Sequence, residues 1–292
     1  DFYIGTRSTL VQYLQGDMDE FHIWNRALSG GEISAIYNIS AGKNAPIKFQ
    51  TRMGNYYNEG DENTEFGWHA ENAKDYISGL TGTETQIEYV EGFLGKGLKF
   101  NQSGSSSVSF ADSPNLDIGT NDWSISFWMK RDKSVDQTFL IKGTPSNCNT
   151  KGYAIALLGQ PAVDGISVSV ADGDGGCWMN SHRFRESESL TPDEWHHVVA
   201  SLNRNGTILV YIDGVNMPNV DGAISANTVD IDNTASLQFL PAATSNLSID
   251  EVHIWKKALS IPEMTNLYKN YLNWGVFGNT TSTANAYYIN ST

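Results

Sequence analysis

One stretch of this chain is written twice. Asp19-Glu20-Phe21-His22-Ile23-Trp24-Asn25-Arg26-Ala27-Leu28-Ser29 returns as Asp250-Glu251-Val252-His253-Ile254-Trp255-Lys256-Lys257-Ala258-Leu259-Ser260, at a constant offset of 231 positions. The offset carries on to Glu32 and Tyr37, which answer to Glu263 and Tyr268. Self-similarity at a fixed spacing means that one supersecondary unit is used more than once. In both copies an apolar-alternating run leads into a Ser, with Glu three positions later. That pattern predicts a strand followed by a short amphipathic helix with a capping box. The copies differ in what comes before them. Strand-rich sequence precedes the second from Glu65 onward, whereas only the first 18 residues precede the first. Residues 1–40 therefore read as the C-terminal remnant of a preceding domain, supplied upstream in a longer polypeptide or by another chain. Residues 41–64, rich in turn formers and charge, read as a linker. Residues 65–272 form the complete domain, and 273–292 are a tail or the start of a further segment.

Within the complete domain short runs of β-type composition recur between turn signals, from Gln86–Glu91 through Trp123–Lys130 and Trp195–Leu202 to Ile249–Lys256. Such spacing predicts an all-β, antiparallel two-sheet sandwich. Trp123, Ile125, Phe127 and Met129 alternate with Ser124, Ser126, Trp128 and Lys130, so large residues fall on both faces and the strand is central. A short C-terminal helix, Ile261–Leu272, closes the domain at its edge or end. The chain is 40% hydrophobic and only 18% charged, with Gly, Ser, Thr and Asn filling the difference, which suits a turn-rich β protein and not a helical bundle.

Charge excludes other classes. With 19 Lys and Arg against 33 Asp and Glu, the net charge is −14 and no basic run stands out, so a nucleic-acid partner is not expected. The sequence has no apolar window long enough for membrane insertion. Its two cysteines, Cys148 and Cys177, flank a predicted hairpin, either as a disulfide across it or as two separate thiols. Only His182 lies near them, a spacing that fits no common zinc pattern.

Trp123-Ser124-Ile125-Ser126-Phe127-Trp128-Met129-Lys130, Glu194-Trp195-His196-His197-Val198-Val199, Val210-Tyr211-Ile212-Asp213-Gly214-Val215, and Ile249 through Ser260, in that order, resemble the laminin-G-like jelly roll of the concanavalin A-like lectin/glucanase superfamily. The resemblance covers residues 65–272 and implies a jelly-roll sandwich, with the N-terminal remnant as a partial second copy. It implies less about function, because this fold hosts lectins, adhesion modules and glycanases. Asp213-Gly214 is expected to be a hairpin turn, and Trp195 and Trp255 core residues.

A glycanase of this kind would carry two carboxylates flanking one glycosidic bond, in a Glu-x-Asp-x-(x)-Glu run on one strand. No such run is present, and His196-His197 and the repeated His22 and His253 have no partner nucleophile, so the expectation is no enzyme. The resemblance implies a structural Ca2+ where first and last strands meet, with Asp75 and Asp250 as carboxylate ligands; the other reading of Asp250 is an acceptor for a nearby turn. The segment Ala171–Asn180 reads as a loop, with Asp172, Asp174, Trp178 and Asn180 as glycan contacts. Its likeness to a calcium hand fails at the twelfth position, Arg183. Six Asn-x-Ser/Thr sequons occur, at Asn38, Asn101, Asn205, Asn246, Asn279 and Asn290. Together these features predict an adhesion or recognition module, extracellular, cell-surface or virion-borne, whose partners are a glycan or a surface protein. The alternative is a structural spacer or subunit of a virion or surface filament whose partners are copies of itself.

Overall fold

The computed structural model describes residues 23–24, 63–101, 105–132, 136–143, 150–160, 163–174, 177–183, 190–218, 228–240, 246–278 and 286–287. The chain divides into two compact units, Asp1–Ala41 with Leu272–Thr292, and Gly42–Tyr271. In chain order the strands are β1 (Ile23–Trp24), β2 (Thr64–Trp68), β3 (Gly82–Thr85), β4 (Ile87–Glu91), β5 (Lys96–Phe100), β6 (Ser107–Phe110), β7 (Trp123–Arg131), β8 (Gln137–Gly143), β9 (Lys151–Gln160), β10 (Val163–Asp172), β11 (Cys177–Arg183), β12 (His196–Asn203), β13 (Thr207–Ile212), β14 (Val215–Met217), β15 (Leu237–Phe239), β16 (Leu247–Trp255) and β17 (Ala286–Tyr287). The helix α1 (Ile261–Gly278) follows β16.

In the first unit β1 pairs antiparallel with β17. The second unit is a two-sheet antiparallel sandwich. One sheet has eight strands in the order β14-β13-β12-β7-β16-β5-β4, with β2 also on β16; the other has seven, in the order β11-β10-β9-β8-β15-β6-β3. The long β16 shares one side between two neighbours: Leu247–Ile249 faces β5, and Val252–Trp255 faces β2.

Alternation selects the core as expected. Trp123, Ile125, Phe127 and Met129 of β7 point between the sheets, where Val198 stands opposite Phe127 and Ile254 opposite Ile125. From the facing sheet Tyr153 meets Trp123 with ring centroids 5.2 Å apart, and Phe139 meets Phe127 at 4.6 Å. Full burial of such side chains contributes roughly 1.5–3 kcal/mol each. The other face of β7 is buried too, since Ser124, Ser126 and Trp128 are all covered.

The predicted turn at Asp213-Gly214 is present, with φ of 50° and 75°, the left-handed pair that a two-residue hairpin needs. Four strands were not legible. β2, Thr64-Glu65-Phe66-Gly67-Trp68, puts Phe66 and Trp68 in the core but falls at the border of the segment read as a linker; β3 is polar and lacks alternation, and all but its first residue are exposed, as on a sheet edge. Gln86, expected to open a strand, instead takes φ 47° and turns the chain from β3 in one sheet to β4 in the other. β14 has only three residues. β11 occupies much of the segment read as a loop. The helix also differs: its start lies not at an edge but on the outer face of the eight-stranded sheet. There Met264 and Leu267 pack with Leu259 on Val199, Tyr211 and Trp255.

Candidate functional site

The outer face of the eight-stranded sheet carries chemistry because its phase breaks once. Leu247 and Ile249 point into the core, and continued alternation would aim Glu251 between them and Ile254. A β-bulge between Asp250 and His253, with Glu251 at φ 51°, inserts one residue so that Val252 takes the core place. Asp250 and Glu251 are then both buried without entering the apolar core. Asp250 accepts the N–H groups of Leu94 at 2.8 Å and of Glu251 at 2.9 Å, and so holds the Gly92–Gly95 turn. Burial, then the neighbouring Glu251 charge, pushes its carboxyl well above the usual range. Glu251 accepts from His69 Nδ1 at 2.9 Å; burial raises its carboxyl and His69 opposes the rise. His253 bonds Tyr76, whose ring stacks on His69 at 4.2 Å. Desolvation pushes both His253 and His197 down to about 3, so both imidazoles are neutral at neutral pH.

Asp75 is also fully buried. Its carboxylate accepts the N–H groups of Gly67 (2.8 Å), Ile77 (2.9 Å) and Ser78 (2.9 Å), and the Ser78 hydroxyl. The donors the structure gives Asp75 and Asp250 are thus protein N–H and O–H groups, and calcium at either would have to displace them. Among the described residues no group of three or more His, Cys, Asp or Glu side chains is placed to hold a metal ion.

A second cluster on the same face is half open. Trp128 is buried, and Phe93, Leu94, Trp195 and Tyr268 pack on it from three separate places in the sequence while each keeps part of its surface exposed. Phe93 stacks parallel to Trp128 with centroids 3.4 Å apart. Trp195 precedes β12 and is not the core residue expected; it can lie close because Gly97 has no side chain, a Cβ there falling 3.3 Å from the indole. Lys130 Nζ sits 5.1 Å from the Trp195 ring centroid, a cation–π contact. His196, opposite Met129 in the register, falls on the other face of β12 from His197, which packs on Trp128. His196 Nδ1 donates to Asp213 at 2.6 Å and its Nε2 to the Thr191 carbonyl at 3.2 Å. Burial works to lower its pKa, but the Asp213 hydrogen bond and charge, with Thr191 and Glu194, bring the balance above the ordinary value. The patch is a set of aromatic surfaces bordered by the Lys130 cation, able to stack on a flat apolar ligand face and to bond polar groups at its edge. Phe93, Trp195 and Tyr268 were missed as site residues because they converge only through folding. The one local signal was Trp195 beside His196.

The sequence-predicted glycan contacts lie elsewhere. Asp172 accepts the Asp174 N–H at 2.9 Å, an Asx turn with Gly173 at φ 88°. The stretch from Cys177 onward is strand, not loop: the chain reverses after Asp172, and Trp178 and Asn180 pair with Val170 and Val168. Cys148 and the side chains of Cys177, Trp178 and Asn180 lie outside the described residues.

Comparison with known proteins follows the fold. Botulinum neurotoxin type X from Clostridium botulinum is 25% identical over 259 residues, 83% of this chain and 19% of the toxin. Among solved structures, the binding domain of Paraclostridial Mosquitocidal Protein 1 superposes with a TM-score of 0.60 at 19% identity, covering 76% of this chain and 54% of that one. The binding domain of botulinum neurotoxin DC, solved in complex with SialylT, gives 0.58 at 15% identity, covering 72% and 52%; the same domain has been solved in complex with rat synaptotagmin II. The chain thus spans about a fifth of the curated toxin and about half of each binding domain. A laminin G family profile matches residues 102–264, over half of the chain, and the protein belongs to the concanavalin A-like lectin/glucanases superfamily.

Proposed function

We propose that this chain is a non-catalytic recognition module that binds a glycan through the aromatic patch of Phe93, Trp195 and Tyr268, bordered by Lys130. The observation that carries the reading is the patch itself: half-exposed rings gathered on one buried Trp128, with the Lys130 cation at the border. Sugar rings present apolar C–H faces edged by hydroxyls, which matches that layout. The likeness to toxin binding domains, one of which has been solved both with SialylT and with rat synaptotagmin II, supports a module of the recognition class that acts outside the cell or on a cell surface. Catalysis of glycoside hydrolysis is disfavoured by geometry. The adjacent carboxylates Asp250 and Glu251 are buried and bonded to backbone and His69, whereas a glycosidase holds its pair across an open bond.

Glycan-array binding tests the proposal. The whole chain is expected to bind a defined glycan subset, and Trp195→Ala and Lys130→Ala each to weaken that binding at least tenfold with the melting temperature of Lys130→Ala unchanged. Binding unaltered in both variants would overturn the patch, and no binding at all the glycan.

A further inference from the structure

We propose that His196 is a positioning residue for the aromatic patch: with a proton on each ring nitrogen it clasps the turn before Trp195 to the turn against Tyr268, and ligand binding weakens when one of those protons leaves. The inference rests on the glycan reading for its ligand and on geometry for its mechanism. Trp195 follows directly on a tight turn, Thr191-Pro192-Asp193-Glu194, closed by the Glu194 N–H on the Thr191 carbonyl at 3.4 Å. Asp193 stands at the third position with φ 62°, the positive value that a type II turn requires there and that a residue other than glycine enters at a cost. A strained turn keeps its shape only when its surroundings hold it. Two contacts do so: the Asp193 N–H donates to the Arg131 carbonyl of β7 at 2.8 Å, and His196 Nε2 donates to the Thr191 carbonyl at 3.2 Å.

The other ring nitrogen reaches the second turn. His196 Nδ1 donates to Asp213 Oδ2 at 2.6 Å, while Asp213 Oδ1 accepts the His197 N–H at 2.8 Å. Gly214, next in that turn, lies against Tyr268, since a Cβ there would fall 2.7 Å from the ring. From the opposite face of β12 the imidazole thus acts through the backbone on the supports of two of the three patch rings. Its acceptors, a carboxylate and a carbonyl, have no proton to give, and a neutral imidazole has one N–H. Only the imidazolium makes both bonds at once. Burial disfavours that form, but Asp213 from the β13–β14 turn, with the Thr191 carbonyl and Glu194 from the turn before β12, outweighs it, so the proton is held above the ordinary 6.5. From β7 come Met129, opposite in the register, and Arg131, whose guanidinium turns away to the Leu158 carbonyl. As pH rises through the folded value one bond is lost, and the turn that bears Trp195 loosens.

The first test uses the free chain. Trp195 lies against Gly97, so a nuclear Overhauser contact between them should be present at pH 5.5 and weaken by pH 8.5, with the midpoint of the His196 ring resonances. In His196→Gln the contact should not change with pH. A contact constant across that range in the wild type, or still titrating in His196→Gln, would overturn the clasp. The second test uses the glycan selected on the array: wild-type affinity should fall about fivefold from pH 5.5 to pH 8.5, and that of His196→Gln should stay level. Level wild-type affinity, with the Overhauser contact titrating, would overturn the control of binding. A chain that binds no glycan would overturn the glycan reading instead, and the ligand-free result would still decide the clasp.

Discussion

Lys142 is the residue whose chemistry is most exposed to test. Its ammonium is buried and donates to Asp112 at 2.6 Å and to the carbonyls of Asn233 and Ala235 at 2.7 and 3.0 Å; Asp117 faces it as an ion pair at 3.0 Å. A fixed cation thereby ties β8 to the loops at 112–117 and 233–235. Removing one partner of a buried ion pair leaves the others desolvated and uncompensated. Lys142→Met is predicted to cost about 3–5 kcal/mol in urea unfolding; a loss below 1 kcal/mol would contradict that role. His196 makes a pH-dependent contribution of known sign. Its folded pKa lies above the ordinary value, so the stabilisation is fully present below about pH 6.5 and is lost as pH rises through the folded value. The gap in melting temperature between wild type and His196→Gln should shrink from pH 5.5 to pH 8.5. A gap that widens would contradict the Asp213 pairing.

At the scale of elements, legibility followed locality. The capping box was readable because its parts lie three residues apart: Ser260 N–H and hydroxyl both donate to Glu263 at 2.7 Å. Ser260→Ala is predicted to cost roughly 1 kcal/mol, read by thermal unfolding. The Asp213-Gly214 hairpin and the alternation of β7 were readable for the same reason. The bulge in β16 was not, because Ile249 through Trp255 fits two strand phases equally well and only the packing of Val252 and Glu251 decides between them. Nor was the anchoring of the helix, which depends on Ser124 and Ser201: the Ser124 hydroxyl accepts the Leu259 N–H and the Ser201 hydroxyl donates to the Leu259 carbonyl. The loop that carries Phe93 depends on Gly92, where an added Cβ would lie 2.5 Å from the Asp250 carboxylate and 2.7 Å from the Gly97 nitrogen. Gly92→Val should therefore both destabilise the roll and displace Phe93 from Trp128, seen as loss of their ring-current shifts. Retained shifts would contradict the packing.

For the whole molecule, the sandwich and its superfamily were within reach of the sequence, whereas the aromatic patch proposed for binding was not. The sequence pointed to Trp178 in a supposed loop; the structure gathers Phe93, Trp195 and Tyr268 from the β4–β5 turn, the start of β12 and the helix. A sandwich buries one face of each sheet by rule, but which loops cover the other face is set by contacts far apart in the chain. Here, among the described residues, they leave the rings of Phe93, Trp195 and Tyr268 half exposed around Trp128, and the proposal stands on those rings being used. The most direct measurement is two-dimensional NMR of the Trp195 indole N–H during titration with a glycan selected on the array. The account predicts saturable shifts at Trp195, with matching changes at Phe93 and Tyr268 and none at Trp123 in the core. Shifts confined to the β10–β11 hairpin, with Trp195 unmoved at saturation, would contradict it.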